Sequence, residues 1–216
     1  MPKQHNLYID GQWTAGDAYV DNVSPSDSND VIGVYAQANP SQVEAALQAA
    51  NRAVLEWGDS PLESRFQMLM AIGNELIERS AELGELLARE EGKTRAEGIG
   101  EVYRSGQFFH YFAGEVHRQI DDRAESVRPG VEIDTRREPV GVVAIISPWN
   151  FPMATAVWKI APALAFGNAV IFKPANLVPA SAWALTEIIA RQSALPAGAF
   201  NLLMGGGGTV GNHIIN

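Results

Sequence analysis

The turn Ser147-Pro148-Trp149-Asn150-Phe151-Pro152 follows directly on the β-branched run Val140-Gly141-Val142-Val143-Ala144-Ile145-Ile146. Open α/β sheets bind their ligands at the carboxyl ends of such strands. Asn150 supplies an amide donor there. An amide fixed beside a carbonyl oxygen that gains negative charge stabilises a transition state by roughly 3 to 4 kcal/mol. Asparagine also favours turns, and Pro152 suits the start of a helix, so residue types alone favour a plain turn. Lys173 closes the next apolar strand, Ala169-Val170-Ile171-Phe172, and precedes Pro174-Ala175-Asn176. A lysine at a strand end is ordinarily just solvated. Gly206, Gly208 and Gly211 complete a G-x-G-x-x-G pattern after Phe200-Asn201-Leu202-Leu203-Met204, a dinucleotide fingerprint on pattern alone. Consecutive glycines satisfy many patterns, however, and no acidic residue follows at the required distance. Gly92-Lys93-Thr94 is no phosphate loop, because Leu87 stands where glycine is required. His5, His110, His117 and His213 are scattered without metal-ligand spacing.

These residues need elements to position them. Residues 1–39 alternate short apolar runs with Gly, Asp, Asn and Ser, reading as strands and turns. From Pro40, the positions Val43, Ala46, Leu47, Ala50, Val54 and Trp57 mark one face of a helix. Ser60-Pro61-Leu62-Glu63 predicts a capping box for a second helix, with Phe66, Leu69, Met70, Gly73, Leu76 and Ile77 on its stripe, continuing to Leu83 and Leu87. A third helix is predicted over 95–115, ending in Phe108, Phe109, Tyr111 and Phe112, which read as core packing rather than as a ligand box. Between His117 and Arg137 the charges, Pro129-Gly130 and the alternation Val131-Glu132-Ile133-Asp134-Thr135-Arg136 predict a projecting hairpin. Beyond Pro139 strands and helices alternate: strand 140–146, helix 152–165, strand 169–173, helix 180–193, strand 200–203, helix 208–215. Such alternation implies parallel pairing with right-handed crossovers. The fold class is α/β, a doubly wound parallel sheet of Rossmann-like type that is cut off partway. Three regions are expected: 1–116 with the first strands and helices, 117–137 as the arm, and 138–216 with the first βα units.

Composition bounds the function. The 216 residues are 46% hydrophobic and 19% charged, ordinary for a chain that buries a core. With 25 acidic against 16 basic residues the net charge is −9, so a phosphate-backbone footprint and a nucleic-acid partner are not expected. No apolar block flanked by positive charge opens the chain, and no stretch approaches about eighteen uninterrupted apolar residues, the span of a membrane helix. A cytoplasmic protein without a membrane partner is expected.

The ordered set Leu7-Tyr8-Ile9-Asp10-Gly11-Gln12-Trp13, Glu138-Pro139-Val140-Gly141-Val142-Val143, Pro148-Trp149-Asn150-Phe151-Pro152, Trp158-Lys159, Pro162-Ala163-Leu164, Gly167-Asn168 and Lys173-Pro174-Ala175 resembles the NAD(P)-dependent aldehyde dehydrogenases. Any one tripeptide would carry little; the order and spacing carry the resemblance over essentially the whole chain. Ile133-Asp134 to Glu138 and Lys173-Pro174-Ala175-Asn176-Leu177-Val178-Pro179-Ala180 look most like the α-ketoglutaric semialdehyde dehydrogenase branch.

The resemblance implies roles. Asn150 becomes the oxyanion donor, and Ile146, Ser147, Pro148, Trp149, Asn150, Lys173, Ala175, Asn176, Gly207 and Gly211 become the contacts of NAD or NADP. Phe151, Trp158 and Arg104 become the substrate lining, with Arg104 a partner for a substrate carboxylate; read alone, Arg104 is a surface or structural ion pair. Many NAD-specific relatives carry a glutamate where Asn176 stands. A neutral side chain there does not repel a 2'-phosphate, which is consistent with use of both cofactors. The hairpin becomes an oligomerisation arm of a homodimer or homotetramer, and the partner molecule a small aldehyde. Such enzymes use a cysteine thiolate, and this chain contains no cysteine. The expectation is therefore the amino-terminal part of a dehydrogenase, inactive by itself, or a noncatalytic binding or oligomerisation module of the same fold. The acyl-phosphate reductase relatives lack the Trp-Asn-Phe-Pro turn.

Overall fold

The computed structural model describes residues 3–118 and 121–215. The expected arm runs through 119 and 120, and the first and last expected regions reach 1–2 and 216; those positions lie outside the described residues.

A small sheet carries β1 (Gln4–His5), β5 (Val31–Gln37) and β4 (Ala18–Val23), in that order. The principal sheet has the order β3-β2-β10-β9-β8, with β2 (Leu7–Ile9), β3 (Gln12–Thr14), β8 (Val142–Ile146), β9 (Ala169–Lys173) and β10 (Phe200–Leu202). The three late strands are parallel, as their helical crossovers require, but β2 joins β10 antiparallel, pairing Tyr8 with Leu202. The sheet is therefore mixed. Strand β9 is buried along its whole length and forms the centre of the core, flanked by Ile145, Phe200 and Leu202. Each such aliphatic or aromatic side chain contributes roughly 1.5–3 kcal/mol by leaving water. The register pairs Ile146 with Lys173, so the carboxyl ends of β8 and β9 finish level.

Helix α1 (Pro40–Gly58) starts where Asn39 Oδ1 accepts from Gln42 N at 2.8 Å and Gln42 Oε1 accepts from Asn39 N at 3.1 Å. Its face of Val43, Ala46, Ala50 and Trp57 packs on the principal sheet, and Trp57 Nε1 donates to Leu164 O at 3.1 Å. The predicted second helix is two: α2 (Leu62–Glu78) and α3 (Ser80–Glu91), broken at Arg79. The apolar stripe runs through the break. What the stripe cannot show is the Arg79 guanidinium, bonded to Glu75 at 2.9 Å on one side and Glu82 at 2.8 Å on the other. Nor does the Ser60 capping box form: Ser60 Oγ donates to Trp57 O at 2.6 Å and accepts from Arg65 Nε at 2.8 Å. Arg65 is buried by these bonds, and a hydroxyl so engaged is lost to the helix start.

Helix α4 (Arg95–Val116) is capped by Thr94 with Glu97 and crosses α3 at close range. A Cβ on Gly98 would lie 2.2 Å from Gly84 O, so only glycine permits this approach. Strands β6 (Asp122–Glu125) and β7 (Glu132–Thr135) form a separate two-stranded antiparallel sheet, exposed throughout. Helix α5 (Ala154–Ala165) links β8 to β9, α6 (Pro179–Ala190) links β9 to β10, and a π-helical turn at Gly207–Gly211 leads into α7 (Asn212–Ile215). Where one helix was expected over 208–215, the wider π turn takes the first half. Among the described residues, no helix is long and apolar enough to cross a membrane.

Candidate functional site

Three loops converge beyond the carboxyl ends of β8, β9 and β10, as an open α/β sheet requires. The first is the Ser147–Pro152 turn. Ser147 N donates to Lys173 O at 3.2 Å, tying the turn to the next strand end, and its buried Oγ has no hydrogen-bond partner. Trp149 and Phe151 are each 54% exposed, and Pro148 and Asn150 are exposed between and beside them. Phe151 sits at φ +56°, a left-handed conformation unfavourable for an aromatic residue. The backbone reverses there before α5 begins.

Two charged residues, neither foreseen from the sequence, hold this turn. Glu101 on α4 is buried; its Oε1 accepts from Met153 N at 3.0 Å and from Ala154 N at 3.1 Å, the first amides of α5. Its Oε2 accepts from Lys93 Nζ at 2.7 Å. Lys93 also pairs with Glu91 at 2.8 Å, and its Nζ lies 4.3 Å from the centre of the Phe151 ring. Burial alone would lower the Lys93 pKa; the bonds to Glu101 and Glu91 outweigh it and raise it, so the ammonium persists. The signal was available in the chain. Gly98, Glu101, Val102, Ser105, Phe109, Ala113 and Val116 share the buried face of α4, and a carboxylate on such a face demands a partner.

The second loop follows β9. Lys173 is not solvated: it is 4% exposed, its pKa is lowered by burial, and Nζ donates to Pro174 O at 2.8 Å. Ala175 is half-buried and Asn176 exposed. Glu90 of α3 is fully enclosed at this end, accepting from Ala180 N at 2.5 Å, Ser181 N at 2.8 Å and Ser181 Oγ at 2.5 Å, the first turn of α6. Burial pushes its pKa up to about 7, against the pull of the Ser181 and Ala180 bonds.

The third loop holds the glycines. Gly205, outside the G-x-G-x-x-G pattern, is the one that the backbone demands: it sits at φ +149° with Val210 Cγ2 only 2.4 Å from where a Cβ would be. A Cβ on Gly207 or Gly208 would meet open space, and one on Gly211 would meet the Lys173 stem at 3.8 Å. Asn176 Nδ2 approaches the Gly206 position at 3.9 Å. Open backbone over glycines, an unpartnered Ser147 hydroxyl, the Lys173 ammonium and the Asn176 amide are a donor set suited to a polyhydroxylated, phosphorylated ligand.

Apart from these loops, Arg104, Gln107, Phe108, Tyr111, Phe112 and Trp158 line a cavity of about 450 Å³. The core reading holds for Phe109, which is fully buried, and in part for Phe108 and Phe112, which pack against the core while lining this cavity; Tyr111 departs from it and is exposed. Arg104 Nη1 donates to Gln107 at 2.9 Å and its guanidinium lies 5.2 Å from the Phe108 ring, rather than entering the ion pair expected of it alone. Trp158 stands 5.2 Å from Phe108 on the facing helix. Arg104 and Trp158 thus share a cavity. Phe151 is not among its lining residues, since its ring is turned under Lys93.

The chain is 38% identical over 212 residues to an α-ketoglutaric semialdehyde dehydrogenase of Bacillus subtilis, and 36% identical over 210 residues to an α-ketoglutarate semialdehyde dehydrogenase of Haloferax volcanii. Each match takes in 96% of this chain and 43% of the relative, so the chain spans less than half the length of these proteins. A betaine aldehyde dehydrogenase of Staphylococcus aureus, solved in complex with NAD+, superposes with a TM-score of 0.93 at 32% identity, over 97% of this chain and 43% of that one. A model of the aldehyde dehydrogenase family matches residues 13–216. A superposition over 97% of the chain and a family match over residues 13–216 leave one conclusion: this chain belongs to the aldehyde dehydrogenase family.

Proposed function

We propose that the chain is the cofactor-binding part of an NAD(P)-dependent enzyme that oxidises an aldehyde to a carboxylic acid, and that it brings the oxyanion donor to the reaction. The observation that carries this reading is the exposed Asn150 amide on the turn at the end of β8, level with the Lys173 end of β9, whose stem meets the open glycine loop at Gly211. As a nucleophile attacks the aldehyde carbon, the carbonyl oxygen gains charge and Asn150 Nδ2 donates to it. Ile146, Ser147, Pro148 and Trp149 form one wall of the cofactor seat. Lys173, Ala175 and Asn176 take the ribose side, and Gly207 and Gly211 leave room for its backbone approach. When bound, NAD or NADP supplies the acceptor for the hydride that leaves the aldehyde carbon. No cysteine occurs in residues 1–216, and this reading assigns the thiolate nucleophile and the general base to residues outside them.

The names of the relatives and the Arg104 cavity both favour a small aldehyde bearing a carboxylate, of the α-ketoglutaric semialdehyde kind. Trp158 forms the apolar side of that cavity, and Phe151, outside it, lines the aldehyde's approach beside Asn150. The hairpin β6–β7 serves as an oligomerisation arm of a homodimer or homotetramer. A lone two-stranded sheet is marginal in water, and Val127, Val131 and Ile133 are exposed on it. The domain division 1–116, 117–137 and 138–216 and a cytoplasmic location belong to the same proposal; neither nucleic acid nor membrane is a partner.

The test is turnover. The full-length gene product, incubated with α-ketoglutaric semialdehyde and NAD or NADP, is expected to generate reduced cofactor, whereas residues 1–216 alone give none above a buffer blank. A full-length product silent on a panel of aldehydes would overturn the enzymatic reading in favour of a noncatalytic binding and oligomerisation module.

A further inference from the structure

The oxyanion reading rests on Asn150 being held in one place, yet Asn150 sits on an exposed turn with an unfavourable backbone conformation at the very next residue. Left to itself such a turn samples other conformations, and a donor displaced by about 1 Å loses much of its effect. Something must over-determine it.

The buried network beneath the turn has the required form. Glu101 Oε1 takes both Met153 N and Ala154 N, fixing the backbone immediately after the turn. Two bonds to one oxygen define a position and a direction, where a single bond would leave the peptide free to pivot. The other oxygen is anchored by Lys93 at 2.7 Å, so the carboxylate cannot rotate away, and Lys93 itself caps the Phe151 ring at 4.3 Å. The turn is thereby held at its left-handed residue from one side and at its helical exit from the other. Lys93 and Glu101 lie on the loop before α4 and on α4 itself, so the hold is referred to the helical layer and not to the turn's own flexible backbone.

We infer that Glu101, braced by Lys93, is a positioning residue for the oxidation: it never meets substrate, and it sets the location of the Asn150 amide. The inference deepens the proposed function and rests on the oxyanion role of Asn150.

The experiment is a double-mutant cycle in the full-length enzyme, comparing Glu101→Ala, Asn150→Ala and the two together, with Glu101→Gln as the milder variant. Rates are normalised to folded protein. Glu101→Ala is expected to lower kcat tenfold to a hundredfold while the KM for aldehyde and the Kd for cofactor stay within about threefold. Glu101→Gln keeps an acceptor for the two amides but loses the pairing with Lys93, and should fall between alanine and wild type. In the Asn150→Ala background the same Glu101 change should cost less than about threefold, because the donor it positions is gone. Amide hydrogen exchange at Met153 and Ala154 should quicken in both Glu101 variants. A kcat within twofold of wild type for Glu101→Ala, or an equal loss in both backgrounds, would overturn the inference while leaving the oxyanion reading intact. If Asn150→Ala has no effect on kcat, the oxyanion reading fails and this inference falls with it. Should the alanine variant not fold, the glutamine cycle decides on the same criteria.

Discussion

Two helices begin beside the two level strand ends, and each beginning is closed by a glutamate from the α3–α4 pair, but only one of these glutamates has a cation. At α5, Glu101 bonds the first amides and is paired with Lys93. At α6, Glu90 bonds the first amides and the Ser181 hydroxyl, and is fully enclosed with Glu91 as its charged neighbour. Three hydrogen bonds and a helix start favour a carboxylate, yet burial still drives the Glu90 pKa up to about 7. Helix amides and a hydroxyl do not by themselves hold the Glu90 carboxyl at its ordinary pKa, and the carboxylate at α5 has Lys93 as a partner instead. The pair also shows why an external phosphate has no open helix start at α5 or α6: both are already satisfied from within, which leaves the glycine loop after β10 as the place where a charged ligand meets free backbone.

In the proposed function the braced end carries the oxyanion donor with one wall of the cofactor seat, and the other end carries the ribose side; the contrast can be broken at either. The largest expected effect is at the first. In the full-length enzyme Asn150→Ala should lower kcat on the order of a hundredfold or more, about 3 to 4 kcal/mol, with cofactor affinity nearly unchanged. Steady-state kinetics with a separate cofactor titration decides it; an unaltered kcat would reduce Asn150 to a turn residue.

At the second end the prediction concerns stability. The folded chain holds a proton on Glu90 that the unfolded chain releases near its ordinary value of 4.5. Its contribution is therefore complete below about pH 4.5 and lost as pH rises through about 7, on the order of 3 kcal/mol in all. For a chain of this size that is roughly 6 to 12 °C in Tm. Thermal melts at pH 5 and pH 8 should show the loss in wild type and much less of it in Glu90→Gln. Equal pH slopes would mean that Glu90 is ionised in the folded chain and that its burial does not govern its proton.

Smaller effects sharpen the ligand assignments. Asn176→Glu adds repulsion against a 2'-phosphate and new bonds to a free 2'-hydroxyl, and should shift preference from NADP toward NAD by about 1 to 3 kcal/mol. Kinetic constants for both cofactors test it; an unchanged ratio would place residue 176 away from the ribose. Arg104→Ala should raise KM about threefold to tenfold for an aldehyde carrying a carboxylate, and barely at all for an uncharged one, consistent with a partly solvated charge contact. Equal changes for both aldehydes would make Arg104 a packing residue.

Much of the frame was legible in the sequence. The run Ala169–Lys173 is the strand the pattern predicts, and the start of α1 at Pro40, the α4 span and the hairpin follow from local chemistry. What was not legible depended on contacts remote in sequence. The antiparallel joining of Leu7–Ile9 to β10 links the first strand of the sheet to the last, and Arg79, at the break between α2 and α3, also reaches Glu187 on α6 at 3.9 Å. Helical spacing identifies a face without saying whether neighbours fill all the space before it; at Tyr111 they do not, and Phe108 and Phe112 pack on the core while also lining a cavity. At the site, the turn and Lys173 were visible, while Lys93 entered only as a failed phosphate loop and Glu90 and Glu101 not at all. Each of those acids interrupts an apolar helical face, Glu90 after Leu83 and Leu87, Glu101 beside Val102.

The contact between Gly84 and Gly98 couples the two ends. Glu90 projects from one of the touching helices and Glu101 from the other, so the separation of the two carboxylates, and with it the separation of the turn from the ribose side, is gauged by a place where neither helix has a side chain. A single methyl at Gly98 would wedge the helices apart and carry both strand-end loops with them. The proposed cofactor seat and oxyanion donor then drift together, as parts of one casting rather than as two jaws that could be adjusted separately.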